Sequence, residues 1–514
     1  MQWPRDRVVW LGALVAMACA YAVFFAGPYL PYIDYANHVG LISILARGGE
    51  TGADAFLARS WAPTPYWLYY VLTALLGRIT EVDVASKLVL GASGATWVLG
   101  GAHLAEATGR DPRIALAASL GMFGIGLGYG FASFVFTCPL CLFVLGSTER
   151  LLGAEARLRR ARVLELGAAL TLVFLGHPLV FLVTTLAVAS RLIVELLVKL
   201  LLREGGSFPL LWSLTQAFLL PGALALFSLR SAGEVQFQPG KSALLSYSPW
   251  AEHLQRFGGS LLERGSAEHW TVMRGLGIFA GLGLVLGFVR PRQSSAGLRA
   301  RAALWLYAAY FAAWYWVGPM SITDSLWYVY PRFAVLFGAM ILLLPRVELS
   351  GKLGAALACL ALPLVVYNAS LNFQHVRQFN DWARPYDEVR KLIPKGAKVL
   401  PLTVVPGGDL ANNHQALTSL YFYHLVDGAA FVPFLFDTPG VPVRYRKDVT
   451  LPRAPPWNNP DAYDPRVHGV DYDYLVLRGP GLIQRTQAAG LHELVQDVSG
   501  WAVFRTKPLL RAHD

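Results

Sequence analysis

The feature that most constrains this chain is the recurrence of apolar stretches about 17–25 residues long, the length a helix needs to cross a bilayer. Short loops separate many of them and carry clusters of arginine. Inside hydrocarbon the backbone must satisfy its own hydrogen bonds, so such stretches fold as helices. The whole sequence of 514 residues is 55% hydrophobic and only 15% charged, where an ordinary soluble domain carries about 25% charge. That deficit excludes a water-soluble multidomain enzyme, a disordered scaffold and a coiled coil. The 15 Trp and 22 Tyr suit wide membrane–water interfaces.

The net charge is +11. Its placement in short loops is the pattern that orients membrane helices, with basic loops on the cytoplasmic side. No basic stripe interleaved with aromatics is present, so no nucleic-acid partner is expected. The four cysteines, Cys19, Cys138, Cys141 and Cys359, all lie in apolar stretches and imply no disulfide framework. Cys138 and Cys141 have redox-motif spacing without the βαβ context that gives it meaning, and read as small helix residues.

Arg5 and Arg7 precede an apolar run over 8–26, read as an uncleaved signal anchor with a cytoplasmic N-terminus. The later basic loops hold Arg110 and Arg113; Arg150, Arg157, Arg159, Arg160 and Arg162; Lys199 and Arg203; Arg290, Arg292, Arg299 and Arg301; Arg346 and Lys352. If each is cytoplasmic, spans pair between them as 113–129 with 131–148, 163–177 with 178–200, 208–229 with 272–290, and 302–318 with 330–346. A single span, 87–105, then leads from the outside to the loop at Arg110. The stretch 65–79, with Tyr66, Trp67, Tyr69 and Tyr70, reads as a helix lying at the interface. A last span over 353–370 delivers the C-terminus outside. The expectation is a mainly α, polytopic bundle of about eleven spans with a small extracytoplasmic α/β domain at its C-terminus. Residues 1–371 form the transmembrane domain, with outer loops at 27–86 and 230–271, and residues 372–514 form the outer domain. In that tail 398–405, 474–478 and 501–506 read as strands, 380–392 and 417–423 as helices, and 438–465 as a long Pro-rich loop.

Chemistry is concentrated in the first outer loop, Pro31-Tyr-Ile-Asp34-Tyr-Ala-Asn37-His38. Asp34 stands just before an apolar-periodic run over 35–46, where it reads as a helix N-cap. The same carboxylate, partly desolvated at a membrane surface, has the chemistry of a general base for an attacking hydroxyl. His38 shares its helical face, and reads either as a structural histidine or as a contact for Asp34 or a phosphate.

With Asp34, the amphipathic run 35–46, Pro63-Thr-Pro65-Tyr-Trp67 ending at Gly77, Lys87 at the opening of the next helix, a long bundle and an outer tail, the chain resembles the GT-C glycosyltransferases. The outline covers nearly the whole sequence. The resemblance implies transfer of a hexosyl or pentosyl group, with inversion, from a polyprenyl-phosphate-linked donor to a glycan, lipid or protein acceptor. The setting it implies is the periplasmic face of a bacterial inner membrane, with membrane lipid around the bundle. Asp34 takes the place of the catalytic acid. Here the motif is Asp-Tyr-Ala-Asn-His rather than a pair of adjacent acids, which leaves a divalent cation open. Arg332, after Tyr328-Val-Tyr330-Pro331, is the leading candidate for the donor phosphate; snorkelling or pairing with Asp324 is its bland alternative. Lys241, Arg256 and Arg274 are weaker candidates. His177, at an outer turn, reads as a packing residue or as a phosphate or acceptor contact. Glu81 and Asp83 read as solvated charges, or as help for an acceptor or cation, and His414, Tyr421 and His424 as surface or acceptor-groove residues.

Two other classes stay open: a transporter or flippase of a lipid-linked saccharide, and a non-catalytic membrane assembly protein. Remaining patterns carry less. Pro239-Gly-Lys241-Ser242 lacks the first glycine of a phosphate loop. Gly124, Gly126, Gly128 and Gly130 read as helix packing, and Glu195 with Lys199 as a one-turn ion pair.

Overall fold

The computed structural model describes residues 6–204, 207–232, 245–262, 267–289, 297–322, 328–346, 352–404, 414–436 and 440–507. Lys241, Asp324 and the phosphate-loop look-alike at 239–242 lie outside the described residues.

Helices dominate. Six are long and apolar enough to cross a membrane: Arg7–Phe24, Val82–Ala107, Ala132–Leu152, Pro178–Leu201, Phe208–Ser228 and Glu268–Gly287. The other stretches read as spans are also helical, in Arg159–Gly176, Leu298–Val317, Lys352–Ala383 and the shorter apolar segments Pro112–Gly128 and Val329–Leu343. The chain is a multi-pass membrane protein. Its surface agrees, since Leu11, Leu164, Ile193, Leu200, Leu219 and Leu226 are all exposed on these helices. A water-facing surface would not carry such a belt. The stretch 65–79 holds a helix, Trp67–Leu76, of 10 residues, about 15 Å long and too short to span.

Small residues let the helices approach. A side chain at Gly94 would begin 2.8 Å from the carbonyl oxygen of Ala16, and one at Gly100 would begin 2.8 Å from that of Pro139. The glycine run at 124–130 packs closely, as read, since a side chain at Gly126 would begin 3.0 Å from the Phe134 ring and one at Gly124 3.1 Å from Ser260 O, but it is not one continuous helix. It divides a 3-10 segment, Pro112–Phe123, from a single turn, Ile125–Gly128, and Gly130 has φ of 75°. Closely spaced glycines weaken a helix and supply the left-handed backbone a turn needs. Glu195 also departs from expectation: it pairs with Arg191 and with Arg299, each at 3.0 Å.

The described chain forms two compact units. The first holds 1–24, 63–69 and 88–373, and the second holds 25–62, 70–87 and 374–514. Most of the first loop therefore folds with the tail. Leu57–Arg59 pairs antiparallel with Val443–Tyr445, and the helix Tyr35–Arg47 packs on Tyr423–Asp427. The tail's sheet has four strands in the order Val399–Thr403, Tyr474–Arg478, Trp501–Thr506, His492–Val498; the first pair is parallel and the others are antiparallel. Leu400, Leu475, Leu477 and Phe504 fill its core. The strand at 492–498 is not apparent in the sequence, because five of its seven residues face outward without alternation.

Candidate active site

In the second unit Asp34 stands at the N-terminal end of Tyr35–Arg47 and is half-buried, but its side chain makes no cap hydrogen bond. The expected side-chain cap is therefore not formed. Asp34 has αR backbone angles, φ −92° and ψ −4°, whereas a cap side chain reaches the first-turn amides from extended backbone. Tyr421 lies within the field of the Asp34 carboxylate, and burial, Tyr445 and the charge of Asp34 together push the Tyr421 hydroxyl up from its usual range.

His38 is buried, with its Nδ1 at 2.6 Å from the Tyr70 hydroxyl and its ring against Phe436. Burial pushes its pKa down to about 3, so the imidazole is neutral. Next to it Asn37 donates to the Phe434 carbonyl at 3.4 Å, and Phe434 holds φ of 70°.

Asp83 is half-buried and engaged. Its Oδ2 meets Lys87 Nζ at 2.7 Å, and its Oδ1 accepts from the hydroxyls of Tyr423 at 3.0 Å and Tyr35 at 3.4 Å. Lys87 also donates to the carbonyls of Gly27 at 3.1 Å and Pro28 at 2.7 Å. Its ammonium has three donors, and all three are accounted for. Asn380 fixes the adjacent backbone, accepting from Tyr29 N at 2.9 Å and donating to Tyr29 O at 2.8 Å. Glu81 is exposed. His424 is buried and bonded to the Tyr386 hydroxyl at 2.8 Å.

In the first unit Arg332 and His177 belong to one cluster. Arg332 is 5% exposed, with its guanidinium carbon 3.6 Å from the Phe131 ring centroid and 5.6 Å from that of Phe134. Its Nε donates to Tyr328 O at 3.1 Å. His177 caps Pro178–Leu201, its Nδ1 accepting from Leu179 N at 3.2 Å. The ring also meets Phe134 edge-on at 5.4 Å and Tyr66 at 5.0 Å. Burial pushes the Tyr66 hydroxyl up, and the charge of Arg332 opposes that shift. Two bulky residues here have left-handed backbone: Tyr66 with φ of 77° and Tyr328 with φ of 54°. Each costs about 1–3 kcal/mol, and such strain persists where the surroundings enforce it, often at ligand clamps.

The weaker cations sit on two other helices, and the one that carries Arg256, Trp250–Leu262, packs against Val329–Arg332. Arg274 is exposed on Ala267–Val289. Arg256 lies 3.6 Å from Glu252 of its own helix. Among the described residues no group of three or more His, Cys, Asp or Glu is placed to hold a metal ion.

Tyr66 and Tyr70 carry weight that the sequence attributes to an aromatic interface belt. Phe131 and Phe134 give no sequence signal beyond the preceding Gly130.

No protein-family model and no curated protein matches the sequence. Solved structures do match in shape. ArnT from Cupriavidus metallidurans, in its apo state, aligns over 98% of this chain and 98% of its own, at 12% identity and a TM-score of 0.58. The same protein bound to undecaprenyl phosphate aligns with the same coverage, identity and score. An oligosaccharyltransferase from Archaeoglobus fulgidus aligns at a TM-score of 0.43, too low to argue from. The chain has the GT-C fold.

Proposed function

We propose that this chain is a membrane glycosyltransferase of the bacterial inner membrane that moves a sugar from a polyprenyl-phosphate-linked donor to an outward-facing hydroxyl. The observation that carries the reading is Asp34: a half-buried carboxylate, not used as a cap, at the head of a short helix outside the spans. The fold supports it, since ArnT, which shares it, has been solved with undecaprenyl phosphate bound.

In this reading Asp34 takes the proton of the acceptor hydroxyl as its oxygen bonds to the anomeric carbon. The bond from that carbon to the phosphate oxygen breaks, and the electron pair leaves with the polyprenyl phosphate. Direct displacement inverts the anomeric centre. Arg332 neutralises the departing phosphate, with His177 and Tyr66 shaping its surroundings. The faces of Phe131 and Phe134 hold the guanidinium in place by cation–π contact, and a guanidinium can meet a phosphate with two parallel hydrogen bonds. Lys87 and Asp83 act as the internal clamp of the first loop rather than as substrate ligands, and His38 holds Tyr70.

The test uses membranes containing the full chain, supplied with undecaprenyl phosphate carrying a radiolabelled sugar. Wild type should move label from the lipid phase to an acceptor and release free undecaprenyl phosphate. Asp34→Asn should lower that rate by about 10³-fold with an unchanged melting midpoint. Normal transfer in the variant removes the proposed base; flux of intact labelled lipid without cleavage makes the chain a transporter.

A further inference from the structure

We propose a second anion site in this chain, distinct from the one at Arg332: a phosphate-binding cluster formed by Arg110, Arg301 and Arg346. All three belong to loops that the sequence assigns to the cytoplasmic side.

Arg110 follows the helix Val82–Ala107 and is 0% exposed. Its Nη1 donates to Thr108 O at 2.5 Å and to Arg301 O at 2.7 Å. That second bond sets it against the opening turns of Leu298–Val317, whose amino end is the positive end of a helix. Gly297 caps that end without a side-chain bond, and the space a side chain there would enter is open. Arg346 approaches from the segment after Ala334–Leu343, seated against Gly287, where an added Cβ would lie 2.9 Å from the Arg346 amide.

The electrostatics agree with the geometry. Burial holds Arg110 down to about 10, and the charges of Arg346 and Arg301 add to that effect. Among the described residues, the Nε atoms of Arg301 and Arg346 are both buried without a hydrogen-bond acceptor. A buried guanidinium donor without an acceptor is costly, and cations brought together at a membrane edge repel one another. A phosphate reverses each cost. It supplies several acceptor oxygens, accepts from guanidinium donors in parallel pairs, and is favoured at a helix amino end.

Two sources carry this chemistry: the headgroup of an anionic phospholipid and a soluble phosphate. Basic pockets between membrane helices on the cytoplasmic side take anionic headgroups. The test reads the melting midpoint of the purified full chain in neutral detergent. Dioleoylphosphatidylglycerol, dioleoylphosphatidylcholine or inorganic phosphate is added at matched ionic strength. Phosphatidylglycerol should raise the midpoint by about 4 °C over phosphatidylcholine. Inorganic phosphate giving the same rise identifies a soluble anion; a rise with the lipid alone identifies a headgroup. The double variant Arg301→Gln, Arg346→Gln should lose the rise, and Arg332→Gln should keep it. If neither anion shifts wild type, the site does not exist. If the double variant shifts as wild type does, or only Arg332→Gln loses the rise, the anion binds elsewhere and the assignment falls. Native mass spectrometry tests wild type without any variant: the chain retains phosphatidylglycerol over phosphatidylcholine, or the proposal fails.

Discussion

Lys87 in the second unit and Arg332 in the first are both cations withdrawn from water, and the protein treats them in opposite ways. Lys87 is surrounded by acceptors, with Asp83 at 2.7 Å and the carbonyls of Gly27 and Pro28 within 3.1 Å. Arg332 lies against the faces of Phe131 and Phe134, beside two residues with left-handed backbone. A cation whose donors are all spent inside the chain serves the fold. Arg332 spends its Nε on Tyr328 O and rests on two ring faces, and the left-handed backbone of its neighbours costs stability. The two cations are held by different means, although both are conspicuous in the sequence as isolated basic residues.

The sharpest way to break this comparison is a pair of substitutions. Lys87→Met leaves the Asp83 carboxylate without its ion partner, and removing one member of a buried pair costs about 3–5 kcal/mol. We expect a large fall in the melting midpoint of the full chain. Arg332→Gln should leave the midpoint near that of wild type while slowing sugar transfer by about 10²–10³-fold. A Lys87→Met protein that melts normally and loses affinity for the lipid donor would exchange the two roles.

Gly27→Ala sharpens the structural half. A side chain there would collide with Asn380 Nδ2, the group that donates to Tyr29 O at 2.8 Å. Overpacking of this kind costs about 1–3 kcal/mol, and the loss should appear as a lower midpoint with an unchanged phosphatidylglycerol-dependent rise. No loss would mean that the Asn380 clamp does not hold the loop.

These contrasts also mark how far the sequence can be read. Long apolar runs and arginine-rich loops are local signals, so the helices at 87–105 and 178–200 and the short one at Trp67–Leu76 are legible. So are the strands Tyr474–Arg478 and Trp501–Thr506, whose apolar character is also local. The candidacies of Asp34, His177 and Arg332 come from chain position and family resemblance. What a sequence window does not encode is which distant segment a loop folds with. Lys87 reads as the start of a helix, because its partners Gly27 and Pro28 lie sixty and fifty-nine residues away. Tyr421 stands out only as a tail aromatic, since its relation to Asp34 crosses most of the chain. His38 is ambiguous for the same reason: its partner Tyr70 is supplied by another segment of the fold.

His38 gives the smallest effect and one with a definite sign. In the folded chain its pKa is held down to about 3 by burial, and in the unfolded chain it returns to about 6.5. Between those values the unfolded state binds the extra proton. The stability linked to this histidine is therefore fully present above about pH 6.5 and falls as the pH drops toward 3, by up to about 1.4 kcal/mol per pH unit. His424, held down to about 4 by burial, adds to the loss in the same direction. Hydrogen exchange on the full chain should show amides of Tyr35–Arg47 losing protection from pH 7 to pH 4.5, after correction for intrinsic exchange, while those of Ala132–Leu152 change less. His38→Phe should flatten the response of the first helix, and the Tyr70 hydroxyl left without its imidazole should make that variant less stable at pH 8. A steep acid response surviving in His38→Phe would move the titrating group elsewhere in the second unit, with His424→Phe as the next variant to compare.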